Sequence, residues 1–316
     1  MLTAEQKISR LKGIGGSDAA AVVGLSPFKS PYQLYLEKRG EAPIDEEETF
    51  RMQLGNILEE PIARLYCERT GRTVRRQPMV AHDEHAFMLA NIDRQILKDP
   101  RGPGIYEGKT TNEWSGREIH GADDLPDHYY IQAQHYMAVY DYAWASFGIL
   151  VGTTRFVWCD ILRNDEVITE LIKQEAEFWE RVQTGKPPVI DGSERTGELI
   201  KRMYPKDTGK TITIVAPELI KAATDFTALK KQEKHTEEEL KRLGNMLKNA
   251  IGDASTAVFP GFGEITWKAS KESTKETIDL VKLQAEFPEA YAACFKSETV
   301  PGSRRFLPKP AKEKQA

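Results

Sequence analysis

Between residues 54 and 184 the apolar pattern changes period four times, and that succession limits the chain to few folds. Leu54, Leu58, Ile62 and Leu65 recur at helical spacing over 54–69, with Pro61 inside the pattern and Gly71 after it. Strand-like stretches follow at 73–80, 86–97 and 105–111, the last two separated by the turn sequence Asp99-Pro100-Arg101-Gly102-Pro103-Gly104. A helix is predicted over 127–140, then a hairpin of 144–151 and 155–162 around Gly152-Thr153-Thr154. An amphipathic helix over 165–184 carries Ile168, Leu171, Ile172, Phe178 and Trp179. The order α, three strands, α, two strands, α predicts an α/β domain with a mixed sheet flanked by helices.

The segments around this core are less patterned. Ser17 is expected to cap a short helix over 18–23 that Gly24 stops, and Ser30-Pro31 to open a helix over 32–39. After Gly185-Lys186-Pro187-Pro188 a weakly patterned linker runs to about Gly209. Residues 216–250 read as a charged helical hairpin or one long helix, followed by short strands at 257–259 and 263–269 and a helix at 278–287. Two domains are expected, 1–195 and a helix-rich α+β appendage over 196–316. Trp144, Trp158, Trp179 and Trp267 are expected to pack in cores, and His135 and Tyr136 to pack in the core or at the surface rather than line the site.

Charge sharpens the division. Residues 1–195 carry 23 Lys and Arg against 31 Asp and Glu, a net of −8, whereas 196–316 carry 21 against 17, a net of +4. An acidic first part does not describe a basic DNA-coating protein. It does suit a site in which carboxylates hold divalent cations and the metal reverses the local sign. Cys67, Cys159 and Cys294 are far apart, without CxxC, and His82 and His85 belong to no HExxH pattern, so neither zinc nor a disulfide framework is indicated. No apolar run is long enough to cross a membrane and the first ten residues are polar, which predicts a cytoplasmic location without membrane contact.

The chemistry is expected at Asp93 and, fourteen residues later, Glu107-Gly108-Lys109. Residues two apart on a strand share a face, so Glu107 and Lys109 project together, with Asp93 on the preceding strand facing them. Two carboxylates and a lysine at one point suit metal-assisted phosphodiester hydrolysis. The carboxylates hold a hard cation such as Mg²⁺, and the lysine orients the attacking water or stabilises the oxyanion. Glu59 and Glu60 add carboxylates on the preceding helix, and Gln132 and Gln134 are polar positions in an otherwise apolar helix.

Glu59, Asp93, Glu107-x-Lys109 and Gln132-Ala133-Gln134, in this order, resemble the YqaJ-type viral recombinase nucleases, relatives of the phage lambda exonuclease in the PD-(D/E)xK superfamily. The run from Ile14 to Phe28, with Ser30-Pro31 and Leu34, is similar to the opening of that family, and the likeness extends over residues 8–185. It implies a restriction-endonuclease-like core in which Asp93 and Glu107 bind Mg²⁺, with Mn²⁺ as a substitute. Glu59 then supports a second metal or its waters, Lys109 positions the water and Gln132 steadies the site. It further implies that Arg10 and Ser17, seven residues apart, hold a DNA 5′-phosphate. The implied reaction is 5′-to-3′ digestion of double-stranded DNA ends, leaving 3′ overhangs for a single-strand annealing recombinase, and a homo-oligomer is compatible with it. Two positions depart from the pattern. Arg94 follows Asp93 where the family often has Gly, and Gly108 replaces the usual apolar residue but leaves a backbone carbonyl there for metal ligation. An endonuclease of the same superfamily and a catalytically silent DNA-binding scaffold are the rival readings.

Overall fold

The computed structural model describes residues 11–42, 49–274, 277–294 and 304–308. The chain divides into two compact units, Met1–Tyr204 and Pro205–Ala316. The first holds every described residue expected to carry chemistry; Arg10 lies outside the described residues.

In chain order the first unit begins with β1 (Ile14–Gly15), α1 (Gly16–Val22), α2 (Pro31–Lys38) and α3 (Phe50–Thr70). Short strands follow: β2 (Val74–Arg75), β3 (Val80–Ala81), β4 (Met88–Ala90) and β5 (Arg94–Ile96). Then come β6 (Gly104–Thr111), α4 (Glu113–Gly116), α5 (Asp127–Tyr140), β7 (Trp144–Val151), β8 (Arg155–Leu162), α6 (Asp165–Thr184) and α7 (Glu194–Met203).

The principal sheet has the order β2-β5-β6-β7-β8. Only the central β6–β7 pair is parallel, joined through the crossover helix α5; its neighbours are antiparallel. The α/β core expected from the sequence, a mixed sheet flanked by helices, is thus observed. Alternation along β7 shows how the two faces are filled. Ala145, Phe147, Ile149 and Val151 join the core beneath α5 with Ile105, Ala133 and Met137, whereas Trp144 packs with Ala63, Tyr66, Ile96 and Tyr106 beneath α3.

Several local expectations are corrected. The stretches 73–80 and 86–97 are not single strands. Each splits, so that β3 and β4 form a second sheet, β1-β4-β3, while β2 and β5 belong to the principal one. The break between β4 and β5 leaves Asp93 one residue before β5. Helix α3 runs through Pro61, and its burial is confined to its C-terminal half, at Ile62, Ala63 and Tyr66; Leu54 is exposed. Helix α1 starts two residues early: Gly15 is its N-cap and Ser17 lies in its first turn. A side chain at Gly16 would put a Cβ 2.4 Å from the Tyr136 ring, so the chain turns at the glycine pair, and the Asp18 carboxylate accepts from the Gly15 N–H at 3.4 Å.

The expected linker contains α7. Ser193 caps it by accepting from the Thr196 N–H, Thr196 Oγ1 lies 2.7 Å from Ser30 Oγ, and Leu199 is fully buried in the first unit. Of the four tryptophans expected in cores, Trp144 is fully buried and Trp179 packs half-buried beside Phe178, but Trp158 and Trp267 are exposed.

In the second unit, α8 (Pro217–Ile251) is the long-helix alternative, a single helix of 35 residues with only Ile251 buried. It leads to the antiparallel pair β9 (Thr256–Phe259) and β10 (Gly263–Thr266), then α9 (Leu280–Glu286) and α10 (Pro288–Cys294).

Candidate active site

Strand β6 supplies the centre. Glu107 is 6% exposed. Its Oε1 accepts from Lys109 Nζ at 2.8 Å and from Gln132 Nε2 at 2.9 Å. Its Oε2 is buried with no hydrogen-bond partner among the described residues. Burial of a carboxylate oxygen without a donor is costly, so one side of this group is poised for a cation.

Asp93 arrives from the adjacent strand. β5 and β6 pair Arg94 with Tyr106, so the register continued by one residue sets Asp93 opposite Glu107. Its Oδ2 accepts from the Gly108 N–H at 2.8 Å. Burial, and then the negative charge of Glu107, push the Asp93 carboxyl up to about 7. Burial alone would lower the Lys109 ammonium, but Glu107 and Asp93 outweigh it and hold that group above its ordinary value. Lys109 Nζ also stands 5.1 Å from the centroid of the Tyr129 ring.

Helix α5 fixes the orientation of this cluster. Gln132 is buried and also donates to Tyr136 Oη at 3.2 Å, and Tyr136 donates to the Asn91 carbonyl. Asp93, Glu107, Lys109 and Gln132 are therefore brought together. Gln134, the second polar position of this helix, faces away, donating to the Leu162 carbonyl and accepting from the Asn164 N–H. His135 is buried between Glu175, at 2.8 Å, and the Leu89 carbonyl, at 3.0 Å, and is a packing residue as expected.

Glu59 takes a different place. Its Oε1 accepts from Arg94 at 3.2 Å and lies 3.0 Å from an Arg76 nitrogen, while Glu60 accepts from Arg94 at 2.7 Å. Arg94, almost fully buried, thus ties both carboxylates of α3 to β5. The residue that departs from the family pattern is a structural clamp, a role that sequence spacing did not reveal. Glu59 still adds negative charge near Asp93.

Gly108 has a local explanation as well. A Cβ there would lie 3.2 Å from Tyr106 Oη, and one at its cross-strand partner Gly148 would lie 2.9 Å from the same oxygen. The Tyr106 side chain fills the space that both glycines leave.

The donor set fits a hard divalent cation. It offers the unpartnered Glu107 oxygen and a carboxylate opposite it; among the described residues no group of three or more Asp, Glu, His or Cys side chains is placed to hold a metal ion. Few protein ligands and several waters match Mg²⁺ better than a metal that demands a closed protein cage. Ser17 is exposed in the first turn of α1.

Residues 7–143 match the family model described as a YqaJ-like viral recombinase domain. The uncharacterized protein YqaJ of Bacillus subtilis (strain 168) is 35% identical over 292 residues, spanning 91% of this chain and 89% of its own length. That span takes in most of the second unit. Among solved structures, an alkaline exonuclease from Laribacter hongkongensis aligns with a TM-score of 0.48 at 23% identity, covering 58% of this chain and 94% of its own. A phage-related exonuclease from Haemophilus somnus 129PT aligns with a TM-score of 0.40 at 16% identity, covering 55% and 96%.

Proposed function

The chain belongs to the YqaJ-like viral recombinase family, and from that premise we propose that it is a Mg²⁺-dependent DNA exonuclease acting at Asp93, Glu107 and Lys109. The observation that carries this reading is Glu107, one oxygen held by Lys109 and Gln132 and the other buried without a partner beside a second carboxylate.

Asp93, Glu107 and the Gly108 carbonyl would hold the metal, with Mn²⁺ able to replace Mg²⁺. When bound, the cation supplies Lewis-acid stabilisation of the phosphodiester and lowers the pKa of water. Lys109, fully charged in its pairing with Glu107, orients the attacking water and offsets charge that develops on the phosphate. Gln132 keeps the Glu107 carboxylate in one rotamer, its own amide anchored by Tyr136. Glu59, engaged by Arg94 and Arg76, acts through the water shell rather than by direct ligation.

In the same reading, Ser17 and Arg10 take the 5′-phosphate of a duplex end, digestion runs 5′ to 3′, and the 3′ overhang passes to an annealing recombinase. The exposed hydroxyl position of Ser17 and the family membership support this part. The test is digestion of linear duplex DNA bearing 5′-phosphate or 5′-hydroxyl ends, beside closed circular DNA, with Mg²⁺ or EDTA. Metal-dependent loss of linear DNA, faster from phosphorylated ends, is expected. Cutting of closed circles at the same rate would assign an endonuclease, and no digestion of any form would leave the scaffold reading.

A further inference from the structure

Lys109 is held by two groups, and only one of them is a carboxylate. Its Nζ donates to Glu107 Oε1 at 2.8 Å, an oxygen that also accepts from Gln132 at 2.9 Å. The same nitrogen stands 5.1 Å from the centroid of the Tyr129 ring. Tyr129 lies on α5 three residues before Gln132 and seven before Tyr136, which puts all three on one face of the helix. Gln132 secures Glu107, and Tyr129 meets Lys109 two residues further along β6.

The Tyr129 ring is itself fixed. It stacks on Phe147 with centroids 5.8 Å apart and an interplanar angle of 28°, and it lies 4.2 Å from the His128 ring. Phe147 is fully buried and pairs with Glu107 in the β6–β7 register, so the support of the ring is the strand next to the carboxylate. Lysine carries its charge on a flexible four-carbon stem, and a single hydrogen bond leaves that stem several rotamers. The Lys109 side chain is only 19% exposed, and attraction between an ammonium and a ring face is strongest where water is scarce. A ring face draws the whole charge rather than one N–H. It restrains the ammonium while leaving its remaining donors free to turn towards substrate.

We propose that Tyr129 is a positioning residue for the reaction: the face of its ring holds the Lys109 ammonium in place, and its hydroxyl takes no part. The role rests on the nuclease reading above; the placement of Lys109 against the ring does not. A packing role alone would need an aromatic side chain of this size and would be indifferent to how charge is distributed over the ring. Positioning through the ring face depends on that distribution, which is negative on the face and positive at the edge.

The test replaces Tyr129 by phenylalanine, and then by phenylalanines carrying one, two and three ring fluorines. These keep nearly the same volume and withdraw charge from the ring face step by step. Turnover and KM are measured on linear duplex DNA with Mg²⁺. In parallel, the Lys109 ε-methylene resonance is followed by NMR of the full-length, lysine-labelled, metal-free chain and assigned with Lys109→Arg. Tyr129→Phe is expected to keep wild-type turnover, and turnover is expected to fall about ten-fold across the fluorinated series with KM unchanged, the size of a desolvated cation–π contact. The resonance is expected upfield in wild type and Tyr129→Phe, and at the ordinary lysine position in Tyr129→Leu. Turnover that ignores fluorination, or that is as low in Tyr129→Phe as in the trifluorinated form, would overturn the positioning role. If wild type digests no DNA while the resonance behaves as expected, the placement of Lys109 stands and the nuclease reading falls. If wild type digests DNA while the resonance is the same in wild type and Tyr129→Leu, the proposal for Tyr129 alone falls.

Discussion

Lys109 Nζ donates to Glu107 Oε1 across 2.8 Å, joining two residues that the pleat of β6 places on one face. The pairing neutralises one side of Glu107 and leaves the other side buried and unpartnered. Lysine and metal thus have separate places on one carboxylate, and their contributions can be separated by experiment.

Lys109→Ala is expected to lower turnover by about two to three orders of magnitude, the usual cost of removing one preorganised transition-state donor. Mn²⁺ should still bind, because Glu107 Oε2 and Asp93 remain. Calorimetric titration with Mn²⁺ beside single-turnover digestion checks this. Loss of Mn²⁺ binding in the variant would show that the lysine organises the metal site rather than the reaction.

Asp93 gives a pH-dependent prediction. Its folded-state pKa, about 7, lies above the ordinary aspartate value, so the folded chain holds a proton there that the unfolded chain has lost. The stability this contributes is full below the unfolded value and is lost as pH rises through about 7. In the absence of metal, Asp93→Asn should therefore melt a few degrees above wild type at pH 8, with the advantage shrinking towards pH 5. Mn²⁺ should bind wild type more tightly as pH rises over the same window, since ligation requires the deprotonated carboxylate. A variant that melts below wild type at pH 8 without metal would contradict the assignment.

How far the sequence could be read follows from where burial is decided. The strands β6 and β7, the 144–162 hairpin and α5 were legible as elements because each is a mainly apolar run of the right length between turn signals, whereas the parallel pairing of β6 with β7 appears only in the structure. The split of 86–97 into strands of two different sheets was not, because the break depends on which neighbours Met88–Ala90 and Arg94–Ile96 find in space. Helix α7 was hidden by the Pro-Pro break before it; its signals were the Ser193 cap and the spacing of Leu199 and Met203. At the site, Asp93, Glu107, Lys109 and Gln132 were accessible from spacing and from the family resemblance. Arg94 looked like a mismatch, and only its hydrogen bonds to Glu59 and Glu60 show that it closes α3 onto the sheet.

Tyr106 offers a test of packing beneath the site. Its ring lies 4.5 Å from that of Tyr66, and its hydroxyl is buried without a hydrogen-bond partner among the described residues. Tyr106→Phe removes that hydroxyl and should stabilise the protein by about 1 kcal/mol, or raise its melting temperature by roughly 2–4 °C. A lower melting temperature would show that the hydroxyl is satisfied in solution.

The second unit is expected to act on the substrate or a partner rather than on the chemistry, since every described candidate catalytic residue lies in the first. A chain ending at Tyr204 should still digest linear duplex DNA, but with shorter tracts per encounter and a weaker salt dependence, because fewer Lys and Arg meet phosphates. Salt-dependent binding curves and product lengths identical to those of the full chain would leave partner docking as the role of α8.

The most direct test of the account is Mg²⁺ titration of linear duplex digestion by wild type and Glu107→Gln. Glutamine keeps the shape and can still meet Gln132 and Lys109 through its carbonyl, but its amide cannot serve as the anionic ligand on the buried side. The account predicts saturable, EDTA-abolished digestion by wild type and none above background by the variant at any Mg²⁺ concentration. Digestion by Glu107→Gln at the wild-type rate, or digestion by wild type in EDTA, would contradict it.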